Sequence, residues 1–200
     1  MIKPTQPLIL GSSSPARNAL LQRLGLSFTV YAPNIDETAH PDETLKTTVQ
    51  RLAKEKAITV AQAHPDALII ACDQLVEVNG QALGKPHTHV KAIQQLQLCS
   101  GQTLLSSTAL CVFNNRTQSM HEHLVEYQVT FKQLDNKTIE AYLQRDKPYF
   151  CAGSIKAEGL GITLFESMSG DDYTALIGLP LITLTHCLTE EGLNPLTVNE

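Results

Sequence analysis

The segment Leu8-Ile9-Leu10-Gly11-Ser12-Ser13-Ser14-Pro15-Ala16-Arg17 constrains this chain more than any other. Three apolar residues read as a short buried strand. Small hydroxyl residues follow at once, and a helix starts behind them. Backbone N–H groups freed at a helix N-terminus point outward with the positive end of the helix dipole, which favours an anion there. Pro15 suits the first helical turn, where its missing donor costs nothing, and either Ser13 or Ser14 can cap. Arg17 falls in the first turn, within reach of the same anion. A Ser-capped helix without any ligand carries the same signature, so the rest of the chain decides between the two.

With 200 residues and 42% hydrophobic content, the chain has material for one large domain or one domain in two lobes. A net charge of -5 argues against a basic footprint for nucleic acid but allows a local cationic pocket for a nucleotide. No run reaches the ~18 to 20 apolar residues of a membrane span, and the first residues lack a signal-peptide pattern, so a cytoplasmic protein with no membrane partner is expected. Five scattered cysteines without a C-x-x-C pair point to free thiols.

Strands and helices alternate. A strand over 8–10 leads to a helix over 15–24 stopped by Gly25, then a strand over 27–32. Pro41-Asp42-Glu43 opens a long helix to about His64, followed by a buried strand over 67–72. The arms 75–78 and 81–83 meet across Asn79-Gly80, a pair suited to a tight hairpin. A helix over 88–98, strands near 103–113 and 119–131 around a second hairpin, a helix over 135–145, a strand over 161–166 and helical pieces from Tyr173 to Glu191 complete the order. The expected fold class is α/β: a mixed sheet covered by helices, in a single domain over 1–200 whose two lobes leave a cleft.

Several residues are placed for chemistry. The apolar stripe Leu45, Val49, Leu52 of the long helix continues into Lys56, whose ammonium either snorkels outward or projects into a cleft that holds an anion. Asp73 follows the apolar run directly, at the carboxyl end of a strand, where open α/β sheets present ligand groups. With Gln74 beside it, it can hold a divalent cation or accept a proton from water. Asp36 and Glu37 offer further carboxylates in a loop. Gly84-Lys85-Pro86 places a lysine between a permissive and a rigid residue. The glycines and serine around Lys156 and Glu158 can wrap a ligand with backbone donors.

Other motifs are poor. The first segment lacks the Gly-Lys-Ser/Thr end of a Walker loop, and Gly159-Leu160-Gly161 opens no dinucleotide fingerprint. His87 and His89, and His121 and His123, have the spacing that sets two imidazoles on one strand face, without a third zinc ligand marked.

Taken together, Leu8 to Arg17, Asp36-Glu37-Thr38, Leu52-Ala53-Lys54-Glu55-Lys56-Ala57, Cys72-Asp73-Gln74, Gly84-Lys85-Pro86 and Ala152-Gly153-Ser154 resemble the Maf family of nucleoside triphosphate pyrophosphatases, in order and spacing, over nearly the whole chain. The resemblance implies a Maf/ITPase-like fold with an elongated sheet, and hydrolysis between the α and β phosphates of a nucleoside triphosphate. It implies that Ser12, Ser13, Arg17, Lys56 and Lys85 bind phosphates and that Asp73 activates water. Glu37 and Asp73 would take a divalent metal cation, Mg²⁺ or Mn²⁺. Asp73-Gln74 with Glu158 is similar to the 7-methyl-GTP branch; the dTTP/UTP branch is expected to carry Asp-Thr and Gln at these positions. The 7-methyl-GTP branch often has Trp where this chain has Ala16, and a second Arg where it has Asn18, so Ala16 joins Gln74 and Glu158 as a specificity position. A cationic methylated guanine gains from a nearby carboxylate such as Glu158. The resemblance also implies a homodimer, and it extends to nucleotide-binding regulators of bacterial septum formation.

Overall fold

The computed structural model describes residues 6–197. Among the described residues seven strands form one mixed sheet, in the order β2 (Thr29–Val30), β1 (Leu8–Leu10), β3 (Leu68–Val78), β5 (Thr103–Asn114), β6 (Ser119–Phe131), β7 (Phe165–Ser169), with β4 (Gln81–Ala82) paired to β3. The chain divides into two compact units. The first comprises Met1–Gln74, Thr108–Val125 and Gly178–Glu200; the second, Leu75–Ser107 and Glu126–Ile177. Among the described residues no helix is long and apolar enough to cross a membrane.

In the first unit, β1 (Leu8–Leu10) runs parallel to both β2 (Thr29–Val30) and β3 (Leu68–Val78), with Leu10 opposite Val30 and Ile70. All three β1 residues are buried, as a parallel strand covered on both faces requires. At Gly11 the chain leaves the sheet: its N–H donates to Ile70 O at 2.7 Å. Helix α1 (Pro15–Gln22) follows, and Ser14 is its cap, accepting from the Arg17 N–H. The expected strand over 27–32 shrinks to two residues, because its partner β1 is only three residues long.

Helix α2 (Leu45–Ala63) starts later than the sequence suggested. Thr44 caps it, accepting from the Thr47 N–H at 3.2 Å, worth about 1 kcal/mol. Its inner face buries Val49, Leu52, Ala53, Ala57 and Val60, with Lys56 among them. The expected break between a strand over 67–72 and a hairpin arm is absent: β3 runs unbroken to Val78. Asp73 therefore lies inside a strand rather than at its carboxyl end, since no glycine or proline interrupts the extended run. The first unit also holds residues 108–114 of β5 (Thr103–Asn114), residues 119–125 of β6 (Ser119–Phe131), and the C-terminal helix Leu181–Glu190.

In the second unit, Asn79 and Gly80 both take positive φ, as the tight hairpin between β3 and β4 (Gln81–Ala82) demands. Helix α3 (His89–Cys99) is capped by Thr88, and α4 (Asn136–Asp146) by Asp135, which accepts from the Thr138 N–H at 2.7 Å. His87 and His89 thus flank a helix cap and share no strand face. The expected strand over 161–166 begins only at Phe165, as β7 (Phe165–Ser169). Residues Leu160–Leu164 wind into a 3-10 turn instead, drawn back by N–H bonds from Gly159 and Gly161 to Lys156 O. Another short helix, α5 (Tyr173–Ile177), follows β7, so the C-terminal helix is α6. The core of this unit gathers Val76, Leu96, Leu104, Val129, Leu143, Leu164 and an edge-to-face Phe131–Phe165 pair.

Candidate active site

Ser12, Arg17, Glu37, Lys56 and Asp73, all singled out by sequence, come together in the first unit. The Ser12–Ser14 loop turns directly from β1 into α1. Ser12 is buried, and its Oγ accepts from the Ser14 N–H at 3.2 Å and from Arg17 Nη1 at 3.4 Å; Ser13 is exposed. Ser12, Ser13, Ser14, Pro15, Asn18 and Gln22 line an open depression of about 380 Å³. Arg17 reaches from the first turn of α1 to the backbone, Nε donating to Gly178 O and Nη1 to Cys72 O, each at 2.8 Å. Its partners are carbonyls and a hydroxyl, so no carboxylate cancels its charge in these bonds.

Lys56 settles the alternative left open by its place on the stripe: its ammonium turns inward. Nζ lies 2.5 Å from Asp73 Oδ1 and 2.7 Å from Glu37 Oε1. The Lys56 and Asp73 side chains are 9% and 12% exposed, whereas Glu37 is 62% exposed, so the ammonium joins a buried acid to one at the surface. Because Cys72 and Asp73 are consecutive in an extended strand, the carbonyl of one holds Arg17 while the carboxylate of the other holds Lys56. Gln74 completes this corner: a methyl added at Gly178 would stand 3.3 Å from both Gln74 Oε1 and Arg17 Nε. Ala16 is half-buried in α1, next to Arg17.

Glu37 is carried by a loop without strand or helix, and that loop is fastened by a residue the sequence reading missed. Arg51 of α2 grips Glu43 with Nε at 2.6 Å and Nη2 at 2.8 Å, and Nη2 also donates to Thr38 O at 3.0 Å. The Arg51 fork, helped by the His40 N–H, holds the Glu43 carboxyl down at about 2. Within the loop, Thr38 bonds lower the Asp36 carboxyl. The available signal was Arg51 itself, set on α2 four residues before Glu55, with which it also pairs at 3.1 Å.

Lys85 and Glu158 belong to the second unit, and both are exposed. Burial raises the Cys151 thiol, Glu158 raises it further, and Lys156 and Lys85 lower it, so this one sulfur feels both candidate loops. The Lys156–Glu158 loop is anchored by Tyr142 Oη, which accepts from the Lys156 N–H at 3.0 Å, and by Tyr173 Oη donating to Ala157 O at 3.1 Å. His121, on β6 in the first unit, is engaged by Glu190 and Glu191. Among the described residues no group of three or more His, Cys, Asp or Glu side chains is set to hold a metal ion.

In the first unit, then, an oxyanion can meet the Ser12–Ser14 loop at the start of α1 and a guanidinium bonded to carbonyls and a hydroxyl, with a lysine-held carboxylate on the adjoining strand. That is equipment for a polyanion and for drawing a proton from water. Residues 7–191 match the family model described as Maf-like protein. A 7-methyl-GTP pyrophosphatase of Methylobacillus flagellatus is 50% identical over 188 residues, covering 94% of this chain and 98% of the relative. Proteins of the same name from Hydrogenovibrio crunogenus and Nitrosospira multiformis are each 51% identical, covering 92% of both chains in the first case and 94% of both in the second.

Proposed function

The chain belongs to the Maf family, and from that premise we propose that it is a nucleoside triphosphate pyrophosphatase acting on 7-methyl-GTP. The reaction adds water across the α–β phosphate bond and yields 7-methyl-GMP and pyrophosphate. The observation that carries this reading is the Glu37–Lys56–Asp73 bridge on the strand whose preceding carbonyl holds Arg17. Family membership supports the pyrophosphatase chemistry, and relatives about half identical in sequence, with near-complete coverage, support the substrate.

Phosphoryl transfer depends on charge neutralisation and on an aligned nucleophile more than on covalent catalysis. Ser12 and Ser13, with the Arg17 and Lys56 charges, hold phosphate oxygens, and the family resemblance gives Lys85 a phosphate-binding role. Lys56 binds Asp73 through Oδ1, which fixes the direction of the carboxylate. The Asp73 carboxylate then orients a water and takes its proton as the water oxygen bonds to phosphorus and the pyrophosphate oxygen leaves. Gln74 hydrogen-bonds a base edge, and Glu158 favours the cationic ring of the methylated base over a neutral one.

A divalent cation, Mg²⁺ or Mn²⁺, is part of this proposal. Glu37 and Asp73 suit it in kind: they are hard oxygen donors that both reach the Lys56 ammonium, and Mg²⁺ is commonly held by one or two carboxylates together with substrate phosphates. When bound, the cation neutralises phosphate charge and stabilises the leaving oxygen.

The test is pyrophosphate release by the purified protein from 7-methyl-GTP, GTP, dTTP and UTP, each with Mg²⁺ or Mn²⁺. Preferential turnover of 7-methyl-GTP supports the proposal. Preference for dTTP or UTP overturns the substrate, and nucleotide binding without turnover overturns the activity.

A further inference from the structure

The two loops that carry Lys85 and Glu158 are held together by one side chain from a third element. Gln95 on α3 donates from Nε2 to Gly84 O at 2.9 Å and accepts at Oε1 from Ser154 Oγ at 2.5 Å. Gly84 O also accepts from the Gly153 N–H at 3.3 Å. On the other side, Ser154 O accepts from Tyr142 Oη at 3.3 Å, and Tyr142 Oη accepts from the Lys156 N–H. The hydrogen bonds therefore run from Gly84 through Gln95, Ser154 and Tyr142 to Lys156. One residue beyond the first end lies Lys85; two beyond the last lies Glu158.

The centre of this chain of bonds is under strain. Ser154 is fully buried and has φ 59, a left-handed conformation unfavourable for any residue but glycine, and Gly153 before it has φ 64. At Gly153 a side chain would stand 3.1 Å from Val76 and 3.3 Å from Leu104. Such a turn persists because its surroundings fix it, and the bond from Ser154 Oγ to Gln95 is one of those restraints. An amide is the fitting group at position 95, since it must donate to a carbonyl on one side and accept from a hydroxyl on the other.

We infer that Gln95 is a positioning residue: it sets the spacing between the Lys85 loop and the Lys156–Glu158 loop, and so governs affinity for the nucleotide. This deepens the function proposed above and rests on the roles given there to Lys85 and Glu158. Gln95 does not touch the substrate; it acts through Gly84 and Ser154.

The experiment compares wild type, Gln95→Glu and Ser154→Gly in steady-state pyrophosphate release from 7-methyl-GTP, with thermal unfolding recorded for each. Gln95→Glu keeps the length of the side chain and the acceptor for Ser154, but when ionised it turns a carboxylate oxygen toward Gly84 O. Protonation restores a donor there. At about pH 8, Gln95→Glu is expected to raise KM roughly tenfold with a smaller change in kcat. Its deficit relative to wild type shrinks toward about pH 5, where the introduced carboxyl starts to protonate. Wild type measured in parallel corrects for every effect of pH that the two proteins share; the charged groups around the two loops are Lys85, Asp146, Lys156 and Glu158.

Ser154→Gly suits the left-handed backbone and removes the hydroxymethyl group that bonds Gln95, so it raises KM in the same direction. A wild-type KM for Gln95→Glu at the higher pH, the same fold-deficit at both pH values, or a fall confined to kcat overturns the inference. If Gln95→Glu shows no unfolding transition, Ser154→Gly carries the test, and a wild-type KM there overturns it. Failure of the wild type to release pyrophosphate instead overturns the proposed activity. The spacing claim is then read from calorimetric nucleotide binding, where an unchanged Kd in both variants sinks it.

Discussion

Lys56 Nζ donates to Asp73 Oδ1 at 2.5 Å in a setting almost closed to water, so loss of Lys56 strands the Asp73 charge, whereas loss of Asp73 leaves Lys56 its bond to Glu37. Lys56→Met leaves the Asp73 carboxylate buried without its ammonium and is expected to lower stability by about 3 to 5 kcal/mol. For a chain of this size that corresponds to about 2 to 4 °C of melting temperature per kcal/mol. Thermal unfolding of Lys56→Met, Asp73→Asn and the double variant checks it: the double variant should lose less than the sum of the single losses.

Asp73→Asn tests the proposed chemistry. The amide keeps the shape but cannot take a proton from water, so kcat should fall by about 10² to 10⁴. Nucleotide affinity should be largely retained, because the substitution removes none of the phosphate-binding side chains and leaves Lys56 its bond to Glu37. Pyrophosphate release and calorimetric binding measure the two separately, and a variant with wild-type kcat removes Asp73 from its role.

Acid should loosen the loop that carries Glu37. The Glu43 carboxyl sits at about 2 instead of its ordinary 4.5, first through the Arg51 hydrogen bonds and then through the His40 N–H, with burial opposing. A lowered carboxyl contributes stability that is complete above its unfolded value and is lost as the pH falls from there toward about 2. Melting temperature recorded from neutral pH downward should therefore drop more steeply in wild type than in Glu43→Gln, and the two curves should converge at the acid end.

The native thiols should be inert. Burial pushes Cys72, Cys99 and Cys111 up to about 12 and Cys187 up to about 11, which leaves almost no thiolate at neutral pH. A disulfide-exchange reagent is expected to modify at most the half-buried Cys151 in the folded protein, and all five cysteines in denaturant. Rapid modification of several thiols in the native state would contradict this.

Gly161→Ala should disturb the turn behind Glu158. A methyl there would lie 2.5 Å from Lys156 O, a backbone atom that cannot swing aside. The expected loss is about 1 to 3 kcal/mol, read as a lower melting temperature.

Much of the first unit was legible in the sequence because its signals are local. The apolar triplet, the serines and Pro15 specify a strand, a loop and a capped helix within ten residues, and Asn79-Gly80 specifies its own turn. Lys56 was legible as a misfit on an apolar stripe, but its bridge to Glu37 was not, since residues 31–44 have no periodicity to read. Asp73 and Gln74 look like the polar end of a buried strand; only pairing with distant segments shows that the strand continues. The apolar pattern reads as a strand over 161–166 because the bonds that curl residues 160–164 go to Lys156 O and leave no mark on it. Gln95 resembles any polar residue on a half-exposed helix face, and its two partners lie 11 and 59 residues away.

Ladder pairing moves in whole residues. With Leu10 locked opposite Ile70, the positions of the Cys72 carbonyl and the Asp73 carboxylate are quantised: a slip by one would exchange the two and face the acid away from Lys56. Gradual adjustment of this corner during evolution is thus denied to β3 and left to the irregular stretch bearing Glu37, where insertions and substitutions can trim the outer carboxylate while the inner one keeps its station.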